Sequence, residues 1–147
     1  MFKCLERYYK VFLNNTLIFS LIALLLFALS DKKYFNVLIA LPIMMKGTID
    51  MLQLVAAGLE KSTIYNLRVH LKPHPTVPPE SIKQAFGKNW PLLFEFVGGD
   101  FNNCVERSNL LISNASSVCV EALAKGIAVI VAGSQTGLTQ NPIPETI

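Results

Sequence analysis

With 147 residues, the chain is long enough for one domain with a true hydrophobic core. At 52% hydrophobic and only 16% charged residues it is too apolar for intrinsic disorder and richer in apolar residues than an ordinary soluble domain. The net charge of +3 comes with no basic stripe and no run of lysines or arginines, so no nucleic-acid partner is expected.

Cys4, Cys104 and Cys119 are scattered and odd in number, with no C-x-x-C spacing. That pattern argues against a disulfide framework and a structural zinc site, and for buried reduced thiols.

The N-terminal segment concentrates the apolar excess. No charge occurs from Val11 to Ser30, and Leu17 to Leu29 is almost wholly apolar. About 20 apolar residues span a bilayer core, so the length fits. Asn14, Asn15 and Thr16 weaken its first half. Lys3, Arg7 and Lys10 before the run nearly balance Lys32 and Lys33 after it, so charge does not set an orientation. Residues 1–33 are expected to form an apolar helix. It either contacts a membrane through residues 11–30 or packs against a missing or neighbouring domain.

From Tyr34 onward, short apolar runs alternate with helical periodicity. Phe35 to Leu41 reads as a buried strand closed by Pro42. Ile49, Leu52, Val55, Ala56 and Leu59 recur at helical spacing, with Thr48 as the expected N-cap. Asn66 to Leu71 is a second strand, stopped by Pro73 and Pro75. Pro78-Pro79-Glu80 opens a short helix through Phe86, since a proline in the first turn removes an N–H that has no helical partner there. Leu92 to Val97 is a third strand, and Phe101 to Arg107 a short helix or turn. Leu110 to Ile112 is a fourth strand. A helix over Ser117 to Lys125 ends with Gly126 at the left-handed C′ position. Ile127 to Ala132 is a fifth strand.

Strands alternating with helices imply a parallel sheet with right-handed crossovers, and continuous apolar strands imply a sheet covered on both faces. The expected fold class is therefore α/β: a Rossmann-like parallel sheet of about five strands with flanking helices over residues 34–147, preceded by the apolar helix. No element is expected to cover the last strand, so the domain reads as C-terminally incomplete.

Chemistry-bearing residues gather at strand ends. Lys72-Pro73-His74-Pro75 follows the second strand. Prolines on both sides of His74 restrict the backbone and remove donors, holding the imidazole at the sheet edge. There the imidazole can donate to a phosphate oxygen and Lys72 can add charge. The alternative is a rigid strand exit whose histidine caps a neighbouring carbonyl. His70, on the opposite alternation, reads as structural.

Ser113-Asn114-Ala115-Ser116-Ser117 ends the fourth strand and opens a helix. Free N–H groups at the helix start, with the hydroxyls of Ser116 and Ser117, suit a pyrophosphate. Simple N-capping explains one serine equally well. Glu121, one turn on, suits ribose hydroxyls or a solvated helix surface. The loop carrying Ser134, Thr136 and Gly137 is a further candidate contact for sugar or phosphate, with a plain connector as its rival. The Gly98-Gly99-Asp100 turn is a weaker case. Neither a Walker loop nor G-x-G-x-x-G is present.

Taken together, His74-Pro75, Ser116-Ser117 and the stretch Glu121-Ala122-Leu123-Ala124-Lys125-Gly126-Ile127-Ala128-Val129 resemble the C-terminal, donor-binding half of GT-B-type glycosyltransferases. The nearest likeness is to bacterial capsule and surface-polysaccharide enzymes, the polysialyltransferase and CDP-glycerol glycerophosphotransferase group. The resemblance implies that Lys72, His74, Ser116 and Ser117 bind the donor phosphates and that Glu121 binds ribose. It implies a nucleotide-sugar donor as substrate with no cofactor, and a glycan acceptor held by a domain that residues 1–33 cannot form; with no carboxylate pair at the sheet edge, no metal is expected. It places the activity in the cytoplasm, at the inner face of the membrane if residues 11–30 contact it. Ala128 replaces the usual proline of the pattern. Ser113 stands where many retaining members carry a second glutamate, which argues against that subgroup.

The expected function is transfer of a sugar or polyol phosphate from a nucleotide-activated donor in surface polysaccharide biosynthesis. The general base and acceptor site are not assigned, so activity of the chain alone stays open. The rivals are a non-catalytic fragment or membrane-tethered interaction module, and a sugar-nucleotide epimerase-like domain.

Overall fold

A computed structural model describes residues 8–11, 34–60, 66–114 and 116–132. The strands are β1 (Tyr8–Val11), β2 (Phe35–Ala40), β3 (Leu67–Lys72), β4 (Phe94–Phe96), β5 (Leu110–Ser113) and β6 (Ala128–Ala132). The helices are α1 (Met45–Glu60), α2 (Pro79–Phe86), α3 (Phe101–Glu106) and α4 (Val118–Ala124). The strands form one sheet in the order β1-β6-β5-β2-β3-β4, and every neighbouring pair is parallel.

Five of these strands, β2 to β6, make the expected Rossmann-like sheet with flanking helices. β1 adds a sixth at the edge of β6. Reading residues 1–33 as an apolar helix gave Tyr8–Val11 no such place; aromatic and β-branched residues favour strands, but four residues carry too little periodicity to announce one. The rest of the apolar run, including Leu17 to Leu29, lies outside the described residues. Among the described residues, no helix is long and apolar enough to cross a membrane.

Burial explains the layers. Along β2, Phe35, Val37 and Ile39 face one side and Leu38 the other, the period of two that a strand imposes. The first face packs β2, β3, β5 and β6 against Met51, Leu52 and Val55 of α1 and Ile82 of α2. The second packs Leu38, Leu111, Val129 and Val131 against Val105 of α3 and Cys119 and Ala122 of α4. The chain walks outward from β2 through α1 and α2 to β4. It then returns through α3 to the opposite side of β2 and continues through α4. Right-handed crossovers made in opposite directions place their helices on opposite faces, as found.

Two local details matter. The helix expected from Ile49 begins instead at Met45. Thr48 is not its N-cap: it lies inside the helix, fully buried, and its hydroxyl donates to the Pro42 carbonyl at 2.9 Å. At the end of α4, Gly126 has φ +75°, a region that side-chain-bearing residues avoid. Its N–H donates to Leu123 O at 2.9 Å and that of Ile127 to Ala122 O at 3.0 Å, closing the helix in a Schellman turn.

Candidate functional site

The ends of β2, β3 and β5 lie on one level. Ala40 is paired with Lys72 on one side and with Ser113 on the other. Strands in a sheet lie about 4.8 Å apart, so Lys72 and Ser113 flank Ala40 within about 10 Å of each other. The direction of winding reverses between β2 and β5, and open α/β sheets bind ligands in the crevice at that reversal, outside the carboxyl ends of the strands.

A cleft of about 660 Å³ opens there. That volume suits a small-molecule ligand. Its walls are the strand exits: Ala40 to Ile43 after β2, Lys72 to Pro75 after β3, Gly99 to Phe101 after β4, and Ser113, Asn114, Ser116 and Val118 at and after β5. Leu41 N–H donates to Lys72 O at 3.0 Å, tying the first two exits together just beyond the ladder.

The β3 exit presents the two basic side chains. Lys72 is half-buried, and among the described residues no carboxylate pairs with its ammonium. His74 is held by its own turn. The Thr76 backbone N–H donates to His74 Nδ1 at 3.3 Å, and the Thr76 hydroxyl lies 2.8 Å from the same nitrogen. Val77 N–H donates to His74 O at 2.9 Å, closing the turn before α2. His70 stands apart from the cleft, half-buried, with Nε2 3.9 Å from Glu95 on the neighbouring strand.

The β5 exit presents the hydroxyls. Ser113 is buried in the cleft wall and Ser116 half-buried. Beneath them, the Cys119 thiol donates to Asn114 O at 3.4 Å. Burial pushes this thiol above its ordinary value, outweighing the hydrogen bonds of Ser116 and Ser113 that pull it down. Ser116 O accepts from Cys119 N–H, and Ser117 O accepts from the N–H groups of Val120 and Glu121. Those first-turn donors are therefore already engaged within the helix. Ser117 occupies the N-cap position of α4 without a side-chain capping bond.

Lys72, His74 and Ser116 thus share one cleft. Ser117 and Glu121 are exposed on α4 and are not among its lining residues. Ser134, Thr136 and Gly137 lie outside the described residues. The lining also includes groups to which the sequence gives no role or only a weak one. Leu41 and Pro42 mark only the end of a strand in the sequence, and Ile43 has no reading there. Asp100 caps α3, accepting from Asn103 N–H at 3.4 Å, and its signal was the Gly98-Gly99-Asp100 turn at the same sheet edge. Lys72, His74 and Asp100 are the ionisable lining groups, and no contact within 4 Å joins the Asp100 carboxylate to the nitrogens of Lys72 or His74. Among the described residues, no cluster of three or more His, Cys, Asp or Glu side chains is placed to hold a metal ion.

Fold and site define an α/β protein with a Rossmann-like parallel sheet and, at its switch point, a cleft whose mostly apolar wall carries Lys72, His74, Asp100 and Ser116. Comparison with protein-family models, with curated proteins and with solved structures found no match.

Proposed function

We propose that this chain is the donor-binding half of a glycosyltransferase-like protein. The switch-point cleft takes a nucleotide-activated sugar or polyol phosphate, and the carried group passes to a surface-glycan acceptor held by another domain. The observation that carries this reading is the meeting of Lys72, His74 and Ser116 in one cleft at the reversal of strand order.

The chemistry follows from the charge that develops. When an acceptor hydroxyl attacks the carried group, the bond to the nucleotide phosphate breaks and negative charge builds on that phosphate. An ammonium, an imidazole N–H and a hydroxyl fixed on strand exits stabilise that charge without reorganising. Asp100, on another part of the wall, suits the hydroxyl groups of a sugar or polyol. The proposed place of action is the cytoplasm, with the part of residues 11–30 that follows β1 as the membrane contact.

Calorimetric titration with CMP-, CDP- and UDP-linked ligands tests the reading. Saturable binding is expected for at least one. Lys72→Ala and His74→Ala should each weaken it by about 1–3 kcal/mol, as lost hydrogen bonds to charged groups do, with the thermal midpoint unchanged. Absence of saturable binding by every nucleotide would refute the reading and favour a non-catalytic interaction module.

A further inference from the structure

We infer that Thr76 is a positioning residue: it fixes the tautomer of His74 so that the cleft is offered an N–H donor and never a bare ring nitrogen. The inference rests on the donor-cleft reading and adds the selection of an anionic ligand oxygen by a residue outside the cleft lining.

The argument is one of donor and acceptor bookkeeping. A backbone N–H can only donate. The Thr76 N–H is aimed at His74 Nδ1 at 3.3 Å, so in the neutral ring Nδ1 must be the acceptor and the proton must sit on Nε2. The Thr76 hydroxyl, 2.8 Å from the same nitrogen, donates to that lone pair as well. Two donors on Nδ1 disfavour the other neutral tautomer, which would set one N–H against another. In metal sites the partner of one ring nitrogen likewise decides what the other can do.

Pro73 and Pro75 make the arrangement durable. With φ restricted on both sides of His74, the residue two positions on returns to the ring in a closed turn, and Val77 N–H locks it through His74 O. Among the described residues nothing engages Nε2. Nε2–H is therefore the group left for a ligand, and it calls for an acceptor such as a phosphate oxygen. The same assignment removes His74 as a general base toward a ligand at Nε2, because the neutral ring's lone pair is engaged at Nδ1.

The test combines a spectroscopic and a binding readout on the full chain. Nitrogen-15 shifts of the His74 ring at a pH where it is neutral should show a protonated Nε2 and a bare Nδ1. Thr76→Val, which keeps the side-chain shape and the backbone N–H but loses the hydroxyl, should shift the nitrogen signals partway toward the Nδ1-protonated tautomer. It should also weaken binding of inorganic pyrophosphate by up to about 2-fold, because at least half of the rings still carry the proton on Nε2. Thr76→Ser should restore both, with melting curves confirming that all three chains are folded. A Thr76→Val chain with unaltered nitrogen shifts overturns the inference, and so does one with altered shifts and unaltered affinity. A native chain that binds neither pyrophosphate nor any nucleotide overturns the donor-cleft reading and the inference with it.

Discussion

Leu38 sits at the middle of β2, fully buried where Val105, Leu111, Cys119, Ala122, Val129 and Val131 meet. Replacing it with alanine removes three carbon atoms from the smaller of the two faces. Several of its neighbours ride on paired strands and cannot collapse into the gap. Leucine-to-alanine changes in cores cost about 2–5 kcal/mol, and a framework this constrained belongs near the upper end, about 3–5 kcal/mol. Native domains hold only about 5–15 kcal/mol in all, so the loss is a large share of the total. In urea, with a slope of about 2 kcal/mol per molar, the unfolding midpoint should fall by about 1.5–2.5 M with the slope itself unchanged. Leu92→Ala, at a side chain lying wholly in solvent, is the control and should change stability by less than about 0.5 kcal/mol. A Leu38→Ala cost under about 1 kcal/mol would contradict a closed second face beneath α3 and α4. It would also remove the rigid strand that carries the cleft.

Three further outcomes follow from the same geometry. Gly126→Ala forces a side chain into a left-handed conformation and should cost about 1–2 kcal/mol by thermal melting; a neutral result would mean α4 does not end in the Schellman turn. Because burial raises the Cys119 thiol, the unfolded chain loses that proton first. The contribution is therefore whole below about pH 8.5 and declines as pH rises toward the folded thiol's value. Stability measured from pH 8 to 10 should fall more steeply in the native chain than in Cys119→Ala, and equal slopes would contradict the burial. Glu121→Gln, outside the cleft lining, should leave nucleotide affinity unchanged; a loss of nucleotide binding with pyrophosphate binding intact would place ribose against α4 after all.

Much of the fold was legible because its signals are local. Continuous apolar strands, the proline at the start of α2 and the glycine closing α4 each act within a few residues. Thr48 misled because a threonine before an apolar periodic run looks the same whether it caps a helix or lies inside one. Its hydroxyl binds Pro42 O across the first turn, a contact that spacing alone does not reveal. The third strand was read too long, since Leu92 and Leu93 form a turn whose apolar side chains face solvent. β1 was missed because its pairing with β6 joins residues at opposite ends of the described chain.

The site divides in the same way. Lys72, His74 and Ser116 could be picked out as strand exits bearing charge or hydroxyls. Which exits stand side by side depends on β5 returning next to β2, a choice made by packing of the whole sheet. Asp100 and Leu41 to Ile43 join the cleft only through that choice. Ser117 and Glu121 carried the resemblance in sequence, yet the direction of α4 turns them to solvent.

The most direct test of the central claim is amide chemical-shift mapping during titration with each of the CMP-, CDP- and UDP-linked ligands. The account predicts perturbations confined to Lys72–Thr76, Gly99–Phe101 and Ser113–Ser116. Perturbations gathered instead at the opposite sheet edge, around Asn36 and Asn109, or none with any of these ligands, would contradict it.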